Sequence, residues 1–173
     1  MQEHYDVIVI GSGPAGSTAA YILGSNDIDT LLIEKRELPR HKTCGGGLTN
    51  KTMRLLKRVF DRDPDELRDS EILNFDTIDC RVGFQEETIK TFESYDDVFF
   101  TDRKEYDYFL FQEAASTGID TLIGDGVSDI NFSENQLNTD SGESISFGHL
   151  MAADGVHSNT RKALMERDDI SCP

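Results

Sequence analysis

Short apolar runs alternate with turn-forming residues in the first part of the chain and predict alternating strands and helices. Residues 6–10 form a β-branched run, Asp-Val-Ile-Val-Ile, typical of a strand buried on both faces in a parallel sheet. Small residues over 17–23 indicate a helix, which the polar turn at 24–27 ends. A second apolar run, 30–33, leads directly into Glu34. These patterns predict one strand–helix–strand unit of a parallel sheet.

Helical spacing marks two longer segments in the middle of the chain. Apolar positions predict a helix over 49–60, followed by a loop over 61–65. Asp102 is expected to cap a helix over 103–117 that Gly118 ends. The core-facing positions of this second helix are Tyr106, Phe109, Leu110 and Ala114.

Extended patterns separated by polar turns account for most of the remainder. Antiparallel strands over 73–81 and 88–92 are expected to be joined through Gly83, with a third short strand over 98–100. The run 119–123 is expected to be a further strand of the parallel sheet. The final segments predict a meander and a short helix, over 127–132, 136–139, 144–151 and 161–167.

A glycine-rich turn joins the first strand to the first helix. It reads Gly11, Ser12, Gly13, Pro14, Ala15 and Gly16, a G-x-G-x-x-G sequence in the position that dinucleotide-binding folds require. The three glycines permit a tight turn, a close approach of pyrophosphate and close helix–strand packing, in that order. The helix N-terminus adds unpaired N–H groups and a positive dipole end. Glu34 stands 18 residues after Gly16, where a carboxylate accepts hydrogen bonds from both ribose hydroxyls.

The fingerprint therefore predicts a dinucleotide site but does not distinguish NAD from FAD, which use the same turn. NADP is disfavoured because the Glu34 carboxylate would repel a 2′-phosphate. The fold class that these elements indicate is α/β: a Rossmann-like FAD/NAD(P)-binding domain with a parallel sheet, a β-meander and an inserted small antiparallel sheet.

A loop with two interpretations follows Glu34. It gathers the basic residues Lys35, Arg36, Arg40 and Lys42 and then three consecutive glycines after Cys44. One interpretation is a flexible, solvated loop. The other is a loop that lies against a flat ligand, because consecutive glycines favour neither helix nor strand interiors.

Charge and cysteine content narrow the function classes. The chain carries 33 acidic and 17 basic residues, a net charge of −16, which opposes binding to nucleic acid. Its three cysteines, Cys44, Cys80 and Cys172, are widely spaced and form neither a metal pair nor a disulfide framework. This usage predicts a reducing, cytoplasmic compartment and no metal site.

Three separated motifs resemble a flavoprotein group that includes the para-hydroxybenzoate hydroxylase type. They are the fingerprint with Glu34, Arg103 at a helix start, and the "DG" segment that reads Ala153, Asp154, Gly155, Val156, His157 and Ser158. The loop from Pro39 to Leu48, with its Cys-Gly-Gly-Gly run, is similar to that of the geranylgeranyl reductase family. The resemblance covers residues 5 to about 167.

The resemblance implies FAD as the cofactor and assigns roles residue by residue. Residues 11–16 would hold the pyrophosphate, Glu34 the adenosine ribose, and Lys35 and Arg36 would flank the adenine half. The remaining implied contacts are Arg103 to the phosphate–ribose region, Val127 to the adenine through its backbone, Ala153, Asp154 and Gly155 to the flavin linker, and Cys44, Gly45 and Gly46 to the isoalloxazine. Cys44 is also the candidate proton donor. Alternatively, Arg103 is a first-turn charge, Asp154-Gly155 is a turn, and Cys44 only shapes the pocket.

By the same resemblance, the implied reaction is reduction of isoprenoid double bonds in lipid or isoprenoid biosynthesis, with NAD(P)H or ferredoxin as electron donor. An isoprenoid substrate suggests peripheral membrane contact. The alternatives are an FAD-dependent monooxygenase or halogenase of the same fold, or a nucleotide-binding half-domain without activity. Family members are usually more than twice as long, so residues 1–173 are expected to be the N-terminal portion of an FAD-binding domain, with 70–100 as its antiparallel insertion and the C-terminal part of the family fold missing.

Overall fold

A computed structural model describes residues 2–84 and 87–167 of the protein. The chain divides into two compact units. Met1–Arg40 and Asp107–Pro173 together form the first, and His41–Tyr106 forms the second. Cys172 and the side chain of Cys80, for which the sequence predicts no pairing, lie outside what the structure describes.

The first unit is built on a mixed sheet. Its strands are β1 (His4–Ile10), β2 (Thr30–Glu34), β6 (Asp120–Ile123), β7 (Val127–Asn131), β8 (Gln136–Thr139) and β9 (Ser144–Ala152). Their order is β6-β2-β1-β9-β8-β7. The first four run parallel, while β7, β8 and β9 form an antiparallel meander. The predicted parallel sheet with a β-meander is confirmed, and β9 connects the two parts by pairing with both β1 and β8.

Alternating side chains of the central strands enter two different cores. Val7, Val9 and Leu32 pack with Ala20 of helix α1 (Pro14–Gly24) and with Ala114 of helix α4 (Arg103–Ala115). The alternate positions Ile8, Ile10, Leu31 and Ile33 form the other cluster, together with Tyr5, Leu137, Ile145 and Phe147. Burial on both faces explains why the strands read as continuous apolar runs. The fingerprint turn begins at Gly11, directly after the buried end of β1.

The second unit contains helix α2 (Asn50–Phe60), helix α3 (Pro64–Asp69) and a small antiparallel sheet. The sheet has the order β3-β5-β4, with β3 at Gly47–Leu48, β4 at Phe75–Phe84 and β5 at Glu87–Phe100. The predicted antiparallel sheet is thus present, and the range 70–100 contributes its two long strands.

Several predicted boundaries in the second unit are wrong. Residues 61–65 are not all loop, because Asp63 caps α3: its side chain accepts the Glu66 N–H while the Glu66 carboxylate accepts the Asp63 N–H. The predicted strands over 88–92 and 98–100 are one continuous strand, since both parts pair with β4. Gly83 lies inside β4 and is not the connection. Within the Cys-Gly-Gly-Gly run, Gly47 is a strand residue that pairs with Phe100.

Candidate dinucleotide site

The N-terminus of α1 is open to an anionic ligand. Gly13 is the N-cap residue, no side chain caps the helix, and its first turn holds no acidic residue. The helical hydrogen bonds begin with Ser17 N–H to the Gly13 carbonyl, 2.9 Å apart. The preceding first-turn N–H groups and the positive dipole end therefore face outward, as a pyrophosphate site requires.

The three fingerprint glycines are required for different reasons. Gly11 has φ +102°, a backbone conformation that residues other than glycine rarely adopt. A Cβ on Gly16 would overlap the Gly11 carbonyl oxygen. Gly13, by contrast, has an ordinary φ of −70°, and its nearest neighbour would be the Arg40 Nη2, 3.8 Å from an added Cβ. Neither backbone strain nor crowding requires glycine at Gly13, so the missing side chain leaves room for a ligand.

Glu34 ends β2 as a buried carboxylate with only 5% of its surface exposed. Its Oε2 accepts hydrogen bonds from Ser12 N (3.2 Å) and Ser12 Oγ (2.9 Å), and its Oε1 accepts one from Arg36 N (3.1 Å). Burial by itself would raise the pKa of this carboxyl. The Arg40 guanidinium and these hydrogen bonds outweigh burial and hold the pKa below its ordinary value. Glu34 is therefore an ionised acceptor fixed beside the glycine-rich turn.

Arg40 and Asp107 are site residues that the sequence interpretation did not identify. Arg40 Nε lies 3.2 Å from Glu34 Oε2, and Arg40 Nη1 lies 3.2 Å from Asp107 Oδ2. Arg40 was visible only as one of several basic loop residues. Asp107 gave no local signal, because a single acidic residue in a helix is usually solvent-exposed.

The DG segment approaches the same turn. Ala153 N donates to the Ile10 carbonyl at 2.9 Å, and a Cβ on Gly11 would collide with the Ala153 backbone. The Asp154 Oδ2 accepts hydrogen bonds from Thr160 N and Thr160 Oγ1, both 3.2 Å. Its Oδ1 is buried without a hydrogen-bond partner in the described part of the chain. A buried carboxylate oxygen with no partner is the kind of group that a bound ligand satisfies.

Lys35 and Arg36 directly follow the end of β2, and Val127 begins β7. Both basic side chains are exposed. The Lys35 Cβ would contact a Cβ added to Gly126 at 3.2 Å, which places Lys35 next to the residue preceding Val127. Val127 itself begins β7 opposite Thr139. The first unit therefore brings together the predicted fingerprint, Glu34 and DG residues, with Lys35 and Val127 close to one another.

The other predicted site residues belong to the second unit. Cys44 is exposed, and its Sγ accepts a 3.5 Å hydrogen bond from Gly46 N. Gly46 is buried with φ +69°, and a Cβ there would overlap the Thr101 carbonyl oxygen, whereas Gly45 has open space in that direction. Arg103 is the first residue of α4, after Asp102, whose Oδ1 accepts the Lys104 N–H at 2.8 Å. The expected cap is confirmed, and Arg103 stands at the helix start as predicted.

Comparison with known proteins identifies the cofactor. Residues 4–168 match the family model described as "FAD binding domain". The open helix N-terminus, the ionised Glu34 and the unsatisfied Asp154 Oδ1 all suit the adenosine diphosphate half and linker of FAD. The residues present thus fit the cofactor that the family binds.

Relatives of this chain are similar over nearly its whole length. An uncharacterised protein of Methanosarcina barkeri is 32% identical over 98% of this chain and 44% of its own. Digeranylgeranylglycerophospholipid reductase 2 of Methanothermobacter thermautotrophicus is 28% identical over 94% of this chain and 42% of its own. The chain therefore spans less than half the length of these curated relatives.

A solved structure shows the same fold. PqsL of Pseudomonas aeruginosa, described as a probable FAD-dependent monooxygenase, superposes with a TM-score of 0.79 at 17% identity, over 98% of this chain and 47% of its own. Within the described residues no helix has the length and apolar character needed to cross a membrane.

Replacement of Glu34 by glutamine tests the ribose acceptor. Because a hydrogen bond to a charged group is worth ~1.5–3 kcal/mol, Glu34→Gln is expected to weaken FAD binding roughly 10- to 100-fold. The fold should survive, since Arg40 keeps its contact with Asp107. Titration calorimetry with FAD and a thermal melt measure both effects, and the exposed Glu3→Gln is the matched control. Unaltered FAD affinity in Glu34→Gln would remove the ribose role.

Proposed function

We propose that this chain, which belongs to the FAD binding domain family, is part of an FAD-dependent oxidoreductase that reduces isoprenoid double bonds. The oxidoreductase class follows from the family. The reductase assignment is supported by a single observation: the similarity to the digeranylgeranylglycerophospholipid reductase extends over 94% of this chain. PqsL, at 17% identity, shares the fold of this chain.

The first unit is proposed to hold the adenosine diphosphate half of the cofactor. Backbone N–H groups of the fingerprint would bind the pyrophosphate, and the carboxylate of Glu34 would accept the ribose hydroxyls. Lys35, Arg36 and the backbone of Val127 would border the adenine. Asp154 and Gly155 would meet the linker, where the unsatisfied Asp154 Oδ1 gains a donor.

The segment Cys44–Gly46 is proposed to face the reacting end of the cofactor. No side chain projects from Gly45, and the space beside its backbone is open, so a flat ring system could lie against this loop. When bound and reduced, FAD supplies a hydride to one alkene carbon. The exposed Cys44 thiol is the proposed donor of the proton to the other carbon, and Arg103 is proposed to contact the phosphate–ribose region.

The proposed substrate is an isoprenoid lipid, and the electron donor a nicotinamide or ferredoxin. A lipid substrate implies peripheral contact with a membrane surface. The net charge of −16 favours neutral lipid over anionic lipid at that surface. The alternative within this fold is a flavin monooxygenase or halogenase, for which the likeness to PqsL gives fold-level support.

A single-turnover assay separates these reactions. The purified chain is loaded with FAD, reduced under anaerobic conditions and mixed with a geranylgeranyl lipid. The expected result is flavin reoxidation with the addition of two hydrogens to the lipid, seen by mass spectrometry. A lipid with fully saturated chains serves as the control and should leave the flavin reduced. Reoxidation only on admission of oxygen, with an unaltered lipid, would contradict the reductase assignment.

A further inference from the structure

Three charged side chains form a nearly buried cluster beside the fingerprint. The side chains of Glu34 and Asp107 are 6% and 1% exposed, and that of Arg40 between them is 13% exposed. One guanidinium thus serves two carboxylates, so the cluster keeps one net negative charge. Charged groups are rarely buried unless they are paired, and here the shared partner is Arg40.

The two oxygens of Glu34 are used unequally. Oε2 faces both donors of Ser12 and the Arg40 Nε, all within 3.2 Å. In the described part of the chain Oε1 receives one hydrogen bond, from Arg36 N at 3.1 Å. A carboxylate oxygen can accept two hydrogen bonds. Oε1 therefore retains one acceptor position for a ligand hydroxyl, whereas the acceptor positions of Oε2 are occupied by protein donors.

Arg40 contacts each carboxylate through a different nitrogen. It uses Nε toward Glu34 and Nη1 toward Asp107, while Nη2 points to the Gly13 side. Guanidinium and carboxylate groups readily form two parallel hydrogen bonds when nothing prevents it. The contact of Nη1 with Asp107 holds the guanidinium plane in its present orientation. Without that contact Arg40 could turn and pair with both oxygens of Glu34, which would occupy the free position on Oε1.

We propose that Asp107 is a positioning residue for FAD binding, which restrains Arg40 so that Glu34 Oε1 stays open to the adenosine ribose hydroxyls. The inference rests on the proposed ribose role of Glu34. It explains why a helix that otherwise faces the core with apolar residues carries a carboxylate that is 1% exposed. It also connects α4 to the proposed cofactor site, because Asp107 acts on Glu34 through Arg40.

The test compares FAD with an analogue whose adenosine lacks the 2′- and 3′-hydroxyls. Wild-type chain is expected to prefer FAD over the analogue by roughly 10-fold or more, the worth of a hydrogen bond to a charged group. In Asp107→Asn this preference should shrink to less than about 3-fold, because the Glu34 acceptor is covered. The exposed Asp27→Asn removes the same charge at a turn that tolerates asparagine and should retain the wild-type preference.

A second readout needs no cofactor. The Arg40 Nε proton is observable by nitrogen–proton NMR in the free chain, and its resonance should move in Asp107→Asn but not in Asp27→Asn. A wild-type FAD preference in Asp107→Asn would overturn the inference, even if lipid reduction is confirmed. An unchanged Arg40 resonance would overturn it as well. Loss of lipid reduction with an intact preference for FAD would instead refute the proposed reaction and leave this inference standing.

Discussion

The Gly13→Val variant is expected to fold normally and to lose FAD binding, with an affinity reduced roughly 100-fold or more, equivalent to ~2.7 kcal/mol. The physical reason is specific to this position. Gly13 has φ −70° and ψ 179°, which valine adopts without strain. An added Cβ would meet only the Arg40 Nη2, at an ordinary contact distance of 3.8 Å. The branched side chain would instead occupy the space in front of the helix N-terminus, where the pyrophosphate binds.

The measurement pairs titration calorimetry with a thermal melt. Ser144→Val, at the exposed first residue of β9, is a control for the valine side chain, since this strand position lies outside the proposed cofactor site. The expected melting temperature of Gly13→Val equals that of the wild-type chain. A fall in both affinity and melting temperature would mean that Gly13 serves packing rather than the ligand.

The Gly16→Ala variant is expected to give the largest loss of stability. Its Cβ would overlap the Gly11 carbonyl oxygen, and the next nearest group is the Ala153 side chain, 3.2 Å away. Helix α1 must move away from the end of β1, and such overpacking costs ~3 kcal/mol. For a chain of this size the melting temperature should fall by about 6–12 °C. FAD binding should weaken as a consequence, because the helix N-terminus is displaced.

Gly24→Ala provides the matched comparison within the same helix. Its Cβ would meet Thr117 and Ile119 side chains, which can adjust, whereas a backbone carbonyl held in the sheet–helix turn cannot. The expected loss of stability is therefore smaller than for Gly16→Ala, as followed by differential scanning calorimetry. Equal losses for the two variants would contradict the packing role assigned to the third fingerprint glycine.

The first unit could be predicted from the sequence because its signals are local. The apolar runs that became β1 and β2 are buried on both faces, and the fingerprint glycines stand directly between β1 and α1. Polar turns at Asn135 and Gly142 adopt positive φ and separate the meander strands at the predicted places. The pairing of β1 with β9 joins residues 142 positions apart, so no single segment of the sequence indicates it.

In the second unit the strand boundaries differ from the prediction, because pairing with a distant strand outweighs the local preference of the residues. The acidic stretch Asp96–Asp97 inside β5 resembles a strand break, yet the backbone continues because β4 supplies a partner on both sides of it. The start of α3 was different. Its Asp63-Pro64-Asp65-Glu66 sequence contains a complete capping box with proline at the first helical position, which is a local signal for a helix start.

The candidate site shows the same division. The fingerprint and Glu34 were identified because their spacing along the chain is itself the motif. The contact between Arg40 and Asp107 joins residues 67 positions apart, so only the folded chain reveals it. The sequence predicts Glu34 as a single ribose-binding carboxylate. In the folded chain Glu34 is one member of a buried charge cluster with Arg40 and Asp107.

Binding of FAD by the first unit is expected to depend on the fingerprint turn at the N-terminus of α1. Calorimetric titration of FAD into wild-type and Gly13→Val chains under the same conditions tests it most directly. The wild-type chain should bind one FAD with saturation, and Gly13→Val should give no measurable heat while melting at the same temperature. Binding of FAD with the same affinity by both proteins would contradict it.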